Sequence, residues 1–173
     1  MSNVLEEMKT RRSIRKFKPD AIPQEILDKI IEAGTYAANG RGAQNTIIIQ
    51  VTNKEIRDEI AKKNADIMGS NTDPFYGAPV ILIVLGKKDW PTHVYDGSLV
   101  MGNLMLAAHD LGIGSCWIHR EREMFATEEG KQLMEEWGLP EGLMGIGALS
   151  LGYPDGESAP AKPRKPEYFR VIK

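Results

Sequence analysis

The sequence predicts an α+β protein built as a three-layer α/β/α sandwich, and three features carry that prediction. Residues 80–85 (VILIVL) are apolar at every position, as expected of a central strand covered on both faces of its sheet. Residues 96–111 place apolar side chains around most of a helix circumference, which marks a largely buried helix. Helical and β-branched segments follow one another in the order α, α, β, α, β, α, β, α, β. A doubly wound α/β fold is the alternative that the same order allows.

The elements follow from local chemistry. A short helix precedes the basic segment 11–18. Pro23 stands where a first helical residue belongs, and Ile26, Leu27, Ile30 and Ile31 then share one helix face. Residues 46–52 (TIIIQVT) are β-branched and read as a strand, after which Asn53 caps a helix carrying Ile56, Ile60 and Ala61. The buried helix contains Leu99, Val100, Leu104, Met105, Leu106, Ala107, Ala108 and Leu111, and Gly112 stops it. Residues 115–118 form a short strand. Thr127 caps a helix running to Trp137, ended by Gly138 and Pro140, and residues 143–151 form the last strand. From Tyr153 onward, Pro154, Pro160, Pro163 and Pro166 predict an extended arm crossing a surface, of the kind that wraps a neighbour.

The 173 residues read as a single domain, 1–173, with 153–173 as its arm. Hydrophobic residues at 42% and charged residues at 27% are values of a globular protein, so disorder, collagen and coiled coil are excluded. Cys116 is the only cysteine, which rules out an internal disulfide and a thiol-rich zinc site; no metal is expected, and a reducing compartment is. The opening MSNVLEEMKT lacks the apolar core of a signal peptide. The longest apolar run, residues 78–85, is far below the ~20 residues of a membrane helix. A cytoplasmic protein without a membrane partner is expected.

Several chemistries fail on spacing. The chain has no G-x-x-x-x-G-K-[ST], no H-E-x-x-H and no G-x-S-x-G. Gly40-Arg41-Gly42 lacks the third glycine of a dinucleotide fingerprint, and it lies between a helix and a strand rather than after a strand. His93, His109 and His119 have nothing local that makes any of them a base; His109 reads as a satisfied structural histidine. Cys116 reads as a small buried hydrophobe.

What remains is an anion-binding pattern. Arg11, Arg12, Ser13, Arg15, Lys16 and Lys18 put three guanidiniums, two ammoniums and a hydroxyl within eight positions, enough to neutralise a phosphate dianion with bidentate geometry. A solvated basic turn or a nucleic-acid patch is the competing reading. A second basic cluster, residues 162–165 (KPRK), lies on the arm. The net charge of −2 argues against a broad nucleic-acid footprint, so the positive charge is focused. Between the clusters run two glycine-interrupted loops, 37–45 and 111–120. Their backbones can approach a flat ligand closely, and Asn39 and Gln44 can donate to it.

These segments, with 32–44, 103–118 and 151–154 (LGYP) between and after them, resemble the FMN-dependent nitroreductase family in order along nearly the whole chain. The resemblance implies an intertwined homodimer with FMN at the interface, served by both subunits. By position, Arg11, Arg12, Ser13 and Arg15 resemble the segment that holds the FMN phosphate and ribityl chain. Lys162 and Arg164 resemble the basic pair that closes on the same phosphate. Ala38, Asn39, Gly40 and Gln44 resemble the loop that reaches the flavin from the partner subunit. Trp117, Ile118, His119 and Arg120 resemble the segment lying along the isoalloxazine; Trp117 is either a ring contact or a plain core aromatic.

The implied activity is hydride transfer from NADH or NADPH through flavin N5 to a nitroaromatic, quinone or similar small-molecule acceptor, with ping-pong kinetics. The flavin carries the chemistry, so no catalytic side chain is expected. The alternative within the same resemblance is a protein that stores, senses or fragments flavin without turnover on an external acceptor. Two departures stand out: Ala38-Asn39 where family members often have Pro-Ser, and Asn45-Thr46 where they often have Pro-Trp.

Overall fold

A computed structural model describes residues 4–173; the first three positions of the opening stretch read above for a leader lie outside the described residues. In chain order the elements are α1 (Val4–Thr10), α2 (Gln24–Thr35), β1 (Thr46–Val51), α3 (Lys54–Met68), β2 (Val80–Lys87), α4 (His93–Asp110), β3 (Gly114–Ile118), α5 (Glu121–Met124), α6 (Glu128–Glu136) and β4 (Leu143–Gly152). Short 3₁₀ turns occupy Gly40–Gly42 and Pro166–Tyr168.

The four strands lie in the order β1-β2-β4-β3, and each neighbouring pair is antiparallel. That excludes the doubly wound alternative, which needs parallel strands with helical crossovers. The apolar run behaves as its composition demands: β2 is central, and every residue from Val80 to Gly86 is buried. Its alternate side chains serve two cores. Val80, Leu82 and Val84 join Leu27, Ile30, Val100, Met101 and Leu104 beneath α2 and α4. Ile81, Ile83 and Leu85 join Ile60, Phe75, Met124, Phe125 and Leu133 beneath α3, α5 and α6. Helix, sheet and helix form the three layers. Each large aliphatic side chain buried this way contributes roughly 1.5–3 kcal/mol.

β4 departs from simple alternation. Val84 pairs with Gly147 and Leu85 with Gly145, so Ile146 is an extra residue, a β-bulge. Ile146 turns to the α4 face, where its side chain occupies the space beside Gly97.

The helix ends match their signals, with one shift. Asn53 Oδ1 accepts from Ile56 N at 3.0 Å, and Thr127 Oγ1 accepts from Gly130 N at 3.0 Å. Gly112 takes φ 74 just past α4, the left-handed conformation that suits glycine. Pro23 is not the first helical residue but the one before it: its ψ of 140 is extended, and its carbonyl accepts from Ile26 N and Leu27 N. The arm is extended as expected, and all residues from 156 to 173 are exposed.

Candidate cofactor site

The basic segment 11–18 is positioned by backbone pairing. Ser13 bridges Ser115 in parallel on the free edge of β3, and Ile14 N donates to Ser115 O at 2.9 Å. Further on, Phe17 bridges Pro154, Lys18 N donates to Tyr153 O at 2.9 Å, and Asp155 N donates to Lys16 O at 3.0 Å. The segment is thus laced across the ends of β3 and β4, where the two strands bring Gly114 opposite Gly152.

Here a cavity of about 280 Å³ opens, lined by Arg11, Arg12, His109, Gly112, Gly114 and Ser115, with Gly156 and Ser158 from the start of the arm. Arg12 Nη1 donates to the carbonyls of Lys9 and Arg11, both at 2.7 Å, which fixes the guanidinium against the end of α1. Among the described residues, Arg11 Nη1 and Arg12 Nε are buried with no hydrogen-bond partner. Buried guanidinium nitrogens left unpaired beside a cavity are costly, and a phosphate would satisfy them with charge-assisted bonds. The residues present therefore fit an anionic group of phosphate size. His109 is satisfied as expected, though on the surface of α4: its Nε2 lies 2.9 Å from Thr10 Oγ1 and 3.3 Å from Glu7 Oε2.

From this cavity β3 runs along the edge of the sheet. Gly114 to Ile118 spans about 13 Å at ~3.3 Å per residue. Trp117 is half-buried against the α4 core, and its Nε1 is buried without a partner. It fits because position 147 is glycine; a Cβ there would stand 2.3 Å from Trp117 Nε1. Ile118 points the other way, into the core beneath α3, so only its backbone is available to a ligand at the sheet edge. His119 is exposed, and Arg120 Nη1 pairs with Glu123 Oε1 at 3.0 Å. Cys116 is buried as a small hydrophobe, and burial pushes its thiol pKa up, away from nucleophilic chemistry.

The 37–45 loop is a second, separate feature in one chain. Asn39 spends its side chain on the loop itself: Oδ1 accepts from Gln44 N at 2.9 Å and Nδ2 donates to Ala37 O at 3.2 Å. Gln44 and Ala38 are exposed, and Gln44 has φ 50, an uncommon conformation for a residue with a side chain. Gly40 N donates to Asp96 Oδ1 at 3.0 Å while Thr92 Oγ1 donates to Asp96 Oδ2 at 2.8 Å. A Cβ on Gly40 would stand 2.3 Å from Thr92 Oγ1, so that approach requires glycine. Asp96 and Thr92 were not singled out by sequence reasoning; the available signal was a carboxylate in the first turn of an otherwise apolar helix. Arg15 lies 6.0 Å from the Tyr76 ring, which brings the 69–79 loop to the same edge. Tyr76 carries φ 58, and the loop is fastened by the Arg57–Asp73 ion pair.

Lys162 and Arg164 are not gathered into the cavity. Both are exposed, and Arg164 turns its guanidinium back onto Lys162 O, with Nη2 at 2.6 Å. A larger cavity, about 510 Å³, lies elsewhere, between α5, α6 and the start of β4, and contains none of the candidate site residues. The anion cradle is smaller but is lined by the unpartnered guanidiniums.

Comparison with known proteins agrees with this fold. The family model "Nitroreductase family" matches residues 8–153, so the chain belongs to the nitroreductase family. A relative from Methanothermobacter thermautotrophicus is 30% identical over 165 residues, covering 88% of this chain and 78% of its own. The NADPH-flavin oxidoreductase of Vibrio harveyi is 28% identical, covering 99% of this chain and 73% of its own. A nitroreductase with bound FMN from Bacteroides fragilis superposes with a TM-score of 0.90 at 27% identity, covering all of both chains. No helix among the described residues is long and apolar enough to cross a membrane.

Proposed function

We propose that this chain is an NAD(P)H-dependent FMN oxidoreductase that works as a homodimer of single-domain subunits. The observation that carries the reading is the pair of unpartnered, buried guanidinium nitrogens of Arg11 and Arg12 beside a cavity at the head of an edge strand. Arg11 and Arg12 hold the phosphate, with Ser13 and Arg15 continuing along the ribityl chain. The backbone of residues 117–120 lies along the ring. Lys162 and Arg164 close on the phosphate from the arm, whose first residues already line the cavity. Bound FMN supplies the redox chemistry, taking a hydride from NADH or NADPH and passing two electrons to a nitroaromatic, quinone or similar acceptor in a ping-pong sequence.

A second copy supplies what one chain lacks. Tyr168, Phe169, Val171 and Ile172 are 67–92% exposed on the arm, and Val4, Leu5, Met8, Tyr95 and Leu99 are exposed on α1 and α4. Apolar surface on this scale calls for a partner. The 37–45 loop, with Ala38, Asn39, Gly40 and Gln44, then reaches the flavin of the other subunit, and its exposed Gln44 is free to do so.

The test is a visible absorption spectrum of the purified protein, repeated after anaerobic addition of NADPH and then NADH. A flavin band that bleaches and returns with a quinone supports the reading. A band that bleaches and is not restored by any acceptor assigns a storage or sensing role instead. A colourless protein that ignores added FMN overturns the cofactor.

A further inference from the structure

Asp96 is a carboxylate placed where core packing has no use for one. It is 3% exposed in the first turn of α4, whose other buried residues are Gly97, Val100, Met101, Leu104 and Ala108. A buried carboxylate persists in a fold only where hydrogen bonds satisfy it. Both of its oxygens are satisfied, and both bonds lead to one place. Oδ1 accepts from Gly40 N at 3.0 Å, and Oδ2 accepts at 2.8 Å from Thr92 Oγ1, the hydroxyl that packs against Gly40.

The loop that donates to it is strained and lightly fastened. Arg41, Gly42 and Gln44 have φ of 56, 65 and 50, so three of residues 41–44 are left-handed and two of those carry side chains. Such a backbone persists where the surrounding contacts over-determine it. Inside the loop Asn39 supplies two of those contacts, through Gln44 N and Ala37 O. Outside it there is one: among the described residues, the bond from Gly40 N to Asp96 is the only hydrogen bond that joins residues 38–44 to another element. The fit around that bond is close on two sides, since a Cβ on Gly40 would stand 2.3 Å from Thr92 Oγ1 and 3.3 Å from Trp90 Nε1.

Asn39 therefore sets the shape of the loop, and Asp96 sets where that shape sits. Resting on the cofactor and dimer reading above, we propose that Asp96 is a positioning residue for the flavin of the partner subunit: its carboxylate holds Gly40, and with it the strained 37–45 loop, in the place from which the loop meets that flavin. Without the bond the loop keeps its inner contacts and leaves α4. The fraction of molecules ready to bind then falls, and the apparent affinity for flavin falls with it.

The experiment compares wild type with Asp96→Ala, which removes both acceptors, and with Asp96→Asn, whose carbonyl still accepts from Gly40 N and whose amide can donate to Thr92 Oγ1. Amide hydrogen exchange of the flavin-free proteins reads the anchor without any cofactor. Residues 38–44 are expected to exchange at least about tenfold faster in the Ala variant and to recover in the Asn variant, with β2 and β4 unchanged in both. Equal exchange of the loop in wild type and Ala would overturn the anchor. Faster exchange spreading to β2 and β4 would make Asp96 merely structural and overturn it as well. Should Asp96→Ala not fold, Gly40→Ala breaks the same contact from the other side by its clash with Thr92 Oγ1, and the same outcomes decide.

Ligand binding then reads the role toward flavin. The FMN dissociation constant is expected to rise at least about tenfold in Asp96→Ala and to return in Asp96→Asn, whereas the rise in Tm that inorganic phosphate gives the flavin-free protein stays as in wild type. Arg11→Ala loses both. Equal weakening of FMN and phosphate in Asp96→Ala, or no weakening of FMN, would overturn the positioning role. Wild type that binds no FMN discards the cofactor reading and the flavin role together, while the exchange data still decide the anchor. Co-expression of Asp96→Ala with Arg11→Ala tests which subunit the loop serves. A mixed dimer joins the intact cradle of one chain to the intact loop of the other, so with random pairing about a quarter of the sites regain wild-type affinity. No recovery would place loop and cradle of one chain in the same site and overturn the assignment to the partner.

Discussion

The two basic segments look alike in the sequence and differ completely in the structure. Residues 11–18 are sewn to β3 and to the chain after β4 by two bridges and three backbone hydrogen bonds. Residues 162–165 carry the same kinds of side chain, yet the arm from 156 onward is exposed and Arg164 bonds only to Lys162 of its own segment. Charge therefore says what a segment can bind, and backbone pairing says where. The first is held in place by its own chain; the second, in the function proposed above, finds its destination on the assembled protein.

The contrast can be broken hardest at its centre. Arg11→Ala combined with Arg164→Ala removes one cation from each segment, and at about 1.5–3 kcal/mol per charge-assisted bond FMN affinity falls at least about a hundredfold. Equilibrium dialysis of flavin against the double variant checks it. Undiminished occupancy would remove phosphate binding from both segments.

Deleting residues 159–173 tests the arm alone. It touches little of its own chain, so the Tm of the flavin-free subunit stays within a few degrees, whereas sedimentation shows a dimer becoming a monomer and flavin binding weakens. A dimer that survives the deletion assigns the interface to α1 and α4 without the arm.

Sewing of the first segment is tested by Ile14→Pro, which removes the N–H donated to Ser115 O and leaves that carbonyl unpaired. The expected loss is about 1–3 kcal/mol in urea unfolding, with weakened FMN binding in the same protein. Smallest of all is Asp155→Asn. It breaks the Lys16–Asp155 ion pair, whose side chains are 76% and 43% exposed, and leaves Tm unchanged within error. Lys16 holds the Asp155 carboxyl below its usual range, so whatever the pair contributes is present at neutral pH and vanishes as pH falls through the carboxylate range.

Much of this fold was legible because its signals are local. The all-apolar 80–85 run demanded burial on two faces, and Asn53 and Thr127 could satisfy helix N–H groups from their own side chains. The antiparallel order of the strands was not legible, since pairing direction is settled by partners far apart in sequence. α5 was missed because four residues carry no periodicity. At the site, the residue types that suit phosphate could be read from composition and order. The share of Asn39 spent on its own loop, and the hold of Asp96 on Gly40, arise only when α4 is laid against that loop.

The bulge at Ile146 works like a frame shift in the text of β4. On its far side Leu149 and Leu151 face α4, while Ala148 and Ser150 face the other layer. With two successive residues, Ile146 and Gly147, turned toward the same layer, the strand resumes its alternation out of phase, and Gly145 is presented to α5. Removing one residue here would restore the frame and send Ile146's neighbours to the wrong sides. A deletion that costs a surface loop almost nothing would, in this strand, rewrite which layer each remaining residue belongs to.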